Sequence, residues 1–447
     1  MRGGRREAVS RPGEAPGSAG DGALAPRAPE GVWYAHSRAV YTGGNEVALL
    51  RGGDALFPPM CRMIAGALHE VWVATYIFDS DPAGLAVAAA LAEAARRGVR
   101  VRVVVDGFGS KHSLQILREL FEPAGVGLAV FRPLHGWWSL LQPGQLRRLH
   151  QKLCVVDGDH AFVGGINLID DRHDLRHGWS EQPRLDYAVR VRGPVVAPIE
   201  QTARAMWTRA AFGRDWREEV RQIARSSRPV LRARRLLRRL RMSQRKPRSG
   251  VPHPLPRIRA AFVVRDNLRQ RRSIERSYID ALRGARRRID LVCPYFYPGR
   301  DFRKALAAAA RRGVQVRLLL QGKADYRVAA IAAQVLYDEM LSYGVRIFEY
   351  LPAFLHAKVA VVDDHWATIG SSNIDPLSLL VNLEANVVVD DPMFVSTLAM
   401  ELDRDFAASH EVTAPSSLAG WRRWLRRGLV AWAAMVYLRV AGTAGRY

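Results

Sequence analysis

The chain is short of lysine, of cysteine and of long apolar runs, and each shortage narrows what it can be. Only six of its 67 basic residues are lysine: Lys111, Lys152, Lys246, Lys304, Lys323 and Lys358. The basic character is an arginine bias, and every lysine kept against that bias is worth inspecting. The three cysteines, Cys61, Cys154 and Cys293, form no CxxC or Cys/His ligand spacing. Each lies in an apolar stretch, which reads as a buried free thiol in a reducing compartment and argues against a disulfide framework. No run reaches the ~18–20 apolar residues of a spanning helix. The longest, "GLVAWAAMVYL" from Gly428 to Leu438, is too short. The Gly/Pro/Ala-rich N-terminus has no apolar core of a secretory signal and is expected to be disordered over residues 1–32.

Negative charge is also in deficit. The formal net charge is +24, which points to an anionic partner: nucleic acid, an anionic membrane surface or a phosphorylated substrate. A length of 447 residues with 48% hydrophobic content allows two or three units with a sizeable core.

The chain repeats itself. "AEAARRGVRVRVVVDG" (92–107) and "AAAARRGVQVRLLLQG" (307–322) agree at ten of sixteen positions. Both read as a helix end, a Gly C-cap and a buried strand. Each is preceded by another apolar strand and followed by a helical stretch, then by a strand carrying H-x-K. Alternating strands and helices predict an α/β fold: two similar lobes, each a mixed sheet flanked by helices, with one active site at the lobe interface. The expected boundaries are 33–220 and 258–412 for the lobes, 221–257 for a basic helix and linker, and 413–447 for a basic, apolar tail. The tail reads either as a packed terminal helix or as a helix lying in a membrane interface.

Two stretches carry the chemistry. In "LHQKLCVVDGDHAFVGGIN" (149–167) and "LHAKVAVVDDHWATIGSSN" (355–373), the residues His150, Lys152, Asp157, Gly164 and Asn167 match His356, Lys358, Asp363, Gly370 and Asn373. Side chains at i and i+2 of a strand share a face, so each His and its Lys point the same way. Asp157 and Asp363 belong to the candidate catalytic set by motif. They lie an odd number of residues from the His and Lys, however, and read as structural groups of the turn that follows. The turns holding Gly165, Asn167, Ser372 and Asn373 would let backbone and amide groups approach an oxyanion. Facing lobes would gather two His, two Lys and two Asn into a phosphate site, with lysines as compact charges and histidines as nucleophile and general acid. Asp186 and Glu384, each on the strand after its motif, are the candidate carboxylates for fixing the imidazole tautomers. No metal is expected: His173 and His177, near Asp170, Asp171 and Asp174, read as a solvated loop.

The duplicated H-x-K-x4-D followed by G-x-x-N resembles the phospholipase D superfamily over about residues 40–410. "LHAKVAVVDDHWATIGSSNIDPLSLLVNLEANVVV", with Asn373, Asp375, Ser378, Asn382 and Glu384, is similar to the bacterial cardiolipin synthase branch. So is "HQKLCVVDGDHAFVGGINLIDD" followed by "RLDYAVRVRGPVV". The resemblance implies a phosphatidyltransferase that works without a cofactor. A phosphatidyl group would pass through a covalent phosphohistidine to phosphatidylglycerol, releasing glycerol. His150 would be the nucleophile and His356 the general acid/base, although the near-symmetric spacing does not itself order them. Lys152, Lys358, Asn167 and Asn373 would hold the phosphate. The implied location is the cytoplasmic face of a bacterial cell membrane, with the protein peripheral on anionic phospholipid. "HGWWSLLQPG" (135–144) is a candidate hydrophobic lip. A phosphodiesterase of the same chemistry, acting as lipid hydrolase or nuclease, is the alternative, although no DNA-binding module is recognisable and nucleic acid is not the expected partner. A non-enzymatic lipid-binding protein would have no use for both H-x-K sets. The donor head group and the oligomeric state are not readable.

Overall fold

The computed structural model describes residues 39–133, 147–175, 177–224, 230–231, 258–266, 270–323 and 336–413. The expected disordered N-terminus, the 135–144 lip, most of the basic linker and the terminal helix lie outside these residues.

The first lobe runs β1 (Thr42–Arg51), α1 (Gly52–Ala65), β2 (Glu70–Thr75), α2 (Pro82–Arg96), β3 (Arg100–Asp106), α3 (Leu114–Phe121), β4 (Gly127–Phe131), β5 (Leu153–Val156) and β6 (His160–Gly164). A short pair, β7 (His173–Asp174) and β8 (Gly178–Trp179), precedes β9 (Tyr187–Arg192) and α4 (Val196–Ala224). The second lobe runs β10 (Ile258–Arg265), α5 (Ser273–Gly284), β11 (Arg288–Val292), α6 (Arg300–Arg311), β12 (Gln315–Gln321), β13 (Arg346–Tyr350), β14 (Val359–Val362), β15 (Trp366–Gly370), α7 (Pro376–Leu380), β16 (Glu384–Asp390), α8 (Pro392–Ala407) and β17 (His410–Val412).

Local chemistry sets these elements. Asp81 caps α2 by accepting from Gly84 N at 2.8 Å, with Pro82 in the first turn. Gly98 and Gly313, with φ of 91° and 86°, end the equivalent helices α2 and α6 in the left-handed conformation that C-cap glycine favours. The Val- and Leu-rich runs that follow, "VRVVV" and "VRLLL", become buried parallel strands. In each lobe three parallel strands (β2-β3-β4 and β11-β12-β13) continue into antiparallel ones.

The strands join into one 15-stranded sheet in the order β17-β13-β12-β11-β14-β15-β16-β10-β1-β9-β6-β5-β2-β3-β4. Apart from β17 the order mirrors itself about the β10–β1 seam. There Thr42 faces Ala260 and Asn45 faces Ile258 in antiparallel register. Asn45 is fully buried and stitches the seam. Its Nδ2 donates to the carbonyls of Thr42 (2.6 Å) and Ile258 (3.2 Å), and its Oδ1 accepts from Val195 N at 2.9 Å. Each lobe has its own outer core. A third core, with residues of both lobes, of α4 and of α8, lies between the halves and includes Leu149, Leu185, Leu355 and Leu383.

Replacing Asn45 by Ala leaves the Val195 N–H and two carbonyls unmatched inside the protein. The expected loss is about 2–4 kcal/mol of unfolding free energy, read from chemical denaturation. A change below ~0.5 kcal/mol would show that Asn45 does not tie the seam.

Candidate active site

Both motif histidines sit just before a short strand, where the lobes meet edge to edge. Leu149 bridges Leu383, and Leu185 bridges Leu355. His150 N donates to Leu383 O at 3.0 Å and Leu383 N to Arg148 O at 2.9 Å; His356 N donates to Leu185 O at 2.8 Å. The segment leading into each H-x-K therefore lies against the segment leading into the other lobe's carboxylate strand, β16 or β9.

This juxtaposition crosses the carboxylates. His150 Nδ1 lies 2.9 Å from Glu384 Oε2, and His356 Nδ1 lies 2.6 Å from Asp186 Oδ2. Each imidazole is thus held by a buried acid from the opposite lobe. The Nδ1 contact orients the ring and leaves Nε2 without a hydrogen-bond partner among the described residues. The imidazoles keep 12% and 23% side-chain exposure, enough for a ligand to reach them.

The lysines fold back along their own strands. Lys152 Nζ donates to His150 O at 2.7 Å, and Lys358 Nζ donates to His356 O. Tyr76 packs edge-on to His150, with ring centroids 5.1 Å apart, and lies under Lys152 Nζ at 5.5 Å. Burial lowers the Lys152 ammonium to about 7 and the Lys358 ammonium to about 8, against the pull of Glu384 and Asp186 respectively. Two buried lysines beside two imidazoles make a donor set suited to a phosphoryl anion.

The two acids differ. Burial pushes Asp186 up to about 7, against the pull of Lys358 and a hydrogen bond from Tyr187 N. Burial would also raise Glu384, but His150, Lys152 and the Ser371 hydroxyl outweigh it and hold the carboxyl below its usual range. Ser371 Oγ donates to Glu384 Oε2 at 2.5 Å. Its first-lobe counterpart is Gly165, where any Cβ would overlap Asp186 Oδ1. Burial lowers His150. It lowers His356 much further, with Lys358 and Arg184 adding to the effect.

The remaining sequence candidates surround this cluster or stand apart from it. Asn167 Oδ1 accepts from Ile77 N at 3.3 Å, and Asn373 lies beside Cys293 Sγ at 4.0 Å. Ser372 Oγ donates to Asn373 O at 3.2 Å, and Asp375 accepts from Ser378 N at 2.9 Å. Asp157 and Asp363 belong to the motif but not to the cluster. With φ of 50° and 52° they occupy left-handed turns. Asp157 accepts from the backbone of Leu68, His69 and Glu70 at 2.8 Å each, and Asp363 accepts from Arg286, Arg287 and Arg288. Each carboxylate thus anchors the chain entering β2 or β11 and has no contact with a motif histidine.

The solvated-loop reading of His173 is corrected. Its Nδ1 meets Asp79 and Asp81 at 3.1 and 3.4 Å, and its ring stacks on Trp179. Among the described residues this trio alone has metal-ligand spacing. Asp81 already caps α2, and Asp79 Oδ1 accepts from Ser80 N, so the trio has a structural explanation. His177 keeps its loop partner Asp174 at 3.0 Å. The three cysteines are free.

Sequence reasoning passed over Tyr76, Ser371, Arg148 and Arg184. Ser371 was readable from the alignment of "GGIN" with "GSSN", and Arg148 from its i−2 position to His150. Tyr76 carried no such signal.

A soluble dialkyl phosphodiester keeps constant charge across neutral pH, so its affinity reports the protein's groups. The cationic lysines are lost as pH rises past about 7–8, and affinity measured by titration calorimetry should fall over that window. A flat profile from pH 6.5 to 9 would contradict binding by these lysines.

A family model described as cardiolipin synthase, PLD-like domain, matches residues 60–178 and 278–407, one segment in each lobe. The chain is 38% identical over 355 residues to cardiolipin synthase B of Salmonella typhi, covering 79% of each chain. It is 37% identical over 366 residues to cardiolipin synthase B of Escherichia coli (strain K12), covering 82% of this chain and 81% of that one. Among solved structures, the phosphatidylserine synthase of Haemophilus influenzae Rd KW20 shares the fold with a TM-score of 0.61 at 12% identity, covering 89% of this chain and 95% of that one. The chain belongs to the phospholipase D superfamily, in the cardiolipin synthase PLD-like domain family.

Proposed function

We propose that this chain, a phosphatidyltransferase by its family, makes cardiolipin from phosphatidylglycerol through a covalent phosphohistidine. The observation that carries the reading is the crossed pair of His–carboxylate contacts beside two buried lysines. His150 Nε2 attacks the lipid phosphorus, the bond from phosphorus to the leaving oxygen breaks, and His356 gives that oxygen its proton. The hydroxyl of a second phosphatidylglycerol then returns a proton to His356 and attacks phosphorus, breaking the P–N bond. With phosphatidylglycerol as donor, the first leaving group is glycerol.

The difference between the two acids supports this order. An ionised Glu384 raises the electron density of the His150 imidazole and makes it the better nucleophile. His356, whose cation is least favoured, is the stronger acid once the incoming phosphodiester supplies the charge that lets it protonate. Lys152 and Lys358 neutralise the phosphoryl oxygens, with Asn167 and Asn373 beside them, and the transition state gains most from that charge. Glu384 and Asp186 act as positioning residues.

Phospholipid substrates suit an enzyme adsorbed to an anionic membrane surface, and the location proposed with them is the cytoplasmic side of a bacterial cell membrane. No helix among the described residues is long and apolar enough to cross a membrane. The formal charge of +24 favours adsorption to anionic lipid, at about 1 kcal/mol per basic residue near the surface.

Purified protein with phosphatidylglycerol vesicles and no added metal should yield cardiolipin and glycerol in equal amounts, read by chromatography and mass spectrometry. Accumulation of phosphatidic acid alone would replace transfer by hydrolysis. Inertness to lipid combined with cleavage of DNA would identify a nuclease.

A further inference from the structure

The two half-sites are built on the same plan, but they differ two residues upstream of each histidine. In the first lobe this residue is Arg148; in the second it is Phe354. The difference extends to a partner. Asp106, at the end of β3, accepts from Leu149 N at 2.9 Å, and Gln321, at the end of β12, accepts from Leu355 N at 2.6 Å. Both side chains tether the strand that carries H-x-K. Gln321 does so without charge, and Phe354 stands at the position equivalent to Arg148. Asp106 does so as an acid, beside a guanidinium.

Arg148 is buried, at 9% exposure. Its Nη1 lies 3.6 Å from Asp106 Oδ1, too far for a hydrogen bond, and has no hydrogen-bond partner. The Asp106 oxygens already accept from Leu149, from Phe108 N at 2.9 Å and from Gly109 N at 3.3 Å. The guanidinium lies over the Phe108 ring at 5.3 Å. It is therefore fixed in place by an ion pair and an aromatic face, with donor capacity unused. A buried donor without an acceptor costs free energy, about 1–3 kcal/mol and more when charged. Such a donor persists where a ligand supplies the acceptor.

The bridge at Leu149 keeps residues 148–150 extended, so Arg148, His150 and Lys152 alternate onto one side of the chain. Two residues of extended chain span about 7 Å. In cardiolipin a single three-carbon glycerol joins the two phosphodiesters, a comparable span. A phosphate at His150 and Lys152 would put the second phosphate of the same product near the guanidinium.

We propose that Arg148 binds the non-reacting phosphodiester of the acceptor lipid, and so selects an anionic phospholipid over water or a neutral alcohol. This inference rests on the transfer reading above. The fork of guanidinium donors suits a phosphodiester that arrives already charged. The second half-site, with Phe354 stacked on His177 at 5.1 Å, has no such cation at that position. The pseudo-symmetric site is thereby given a direction.

The test is a partition experiment. Phosphatidylglycerol vesicles are supplied with 1-propanol, and the ratio of cardiolipin to phosphatidylpropanol is measured. Both products divide the same enzyme-bound phosphatidyl group, so the ratio reports acceptor choice alone. Arg148→Met should lower the ratio about tenfold or more, and Arg148→Lys should restore part of it. The double change Asp106→Gln/Arg148→Phe copies the second lobe and leaves no charge unpaired, so it keeps the test available if Arg148→Met does not fold. It should show the same shift. A ratio unchanged in the variants, with both products reduced together, would overturn the assignment and leave Arg148 a structural residue. If the unaltered protein forms phosphatidylpropanol but never cardiolipin, phosphatidyl transfer stands, but the reading that phosphatidylglycerol is the acceptor falls and the role of Arg148 with it.

Discussion

The contact of each motif histidine with a carboxylate from the other lobe is the constraint on which the rest of the structure depends. An imidazole that is to attack or protonate must have one tautomer and one orientation, and here neither lobe supplies both members of a pair. His150 has Glu384, 234 residues away in sequence, and His356 has Asp186, 170 residues away. The site exists only while the lobes keep their register. The fold supplies that register several times: the β1–β10 seam, the buried Asn45, the two Leu–Leu bridges and the shared core. Tyr187 and Arg51 add a further tie by meeting Asp405 of α8, each at 2.6 Å.

The motif's spacing follows from this arrangement. His and Lys two residues apart share the face toward the phosphate. The aspartate five residues after the lysine lies past the strand, in a turn where its carboxylate gathers three backbone N–H groups at the entry to the neighbouring strand of the sheet. One short segment thus carries reagent, charge and anchor. The Gly165/Ser371 difference then sets the two carboxylates apart: glycine makes room for the shorter Asp186, and serine adds a hydrogen bond to the longer Glu384. The two halves share a backbone plan and differ in charge where the chemistry needs direction.

Much of this was legible in the sequence for physical reasons. The ten identities across the repeat sit on helix ends, C-cap glycines and parallel strands, where backbone geometry limits the choice of residue. The parity of His150 with Lys152, and of Asp157 against both, is a property of extended chain and needs no tertiary knowledge. The crossing of the carboxylates was not legible, because Asp186 and Glu384 each follow their own lobe's motif and only the meeting of the lobes decides which histidine each serves. His173 was misread for the same reason: its partners Asp79 and Asp81 lie about ninety residues earlier in the chain, not in its own loop. Tyr76 sits at the end of an apolar strand and became a site residue only when β2 was placed beside β5.

The account's central claim is that pseudo-symmetric halves hold unlike histidines, one forming the bond to phosphorus and one moving the proton. Rapid quench of the full chain with phosphatidylglycerol labelled in its phosphate, followed by peptide mapping under alkaline conditions that preserve phosphohistidine, tests it directly. The label should map to His150, disappear in His150→Ala and accumulate in His356→Ala when a donor with a good leaving group is supplied. Label that persists in His150→Ala and is lost in His356→Ala would contradict the account.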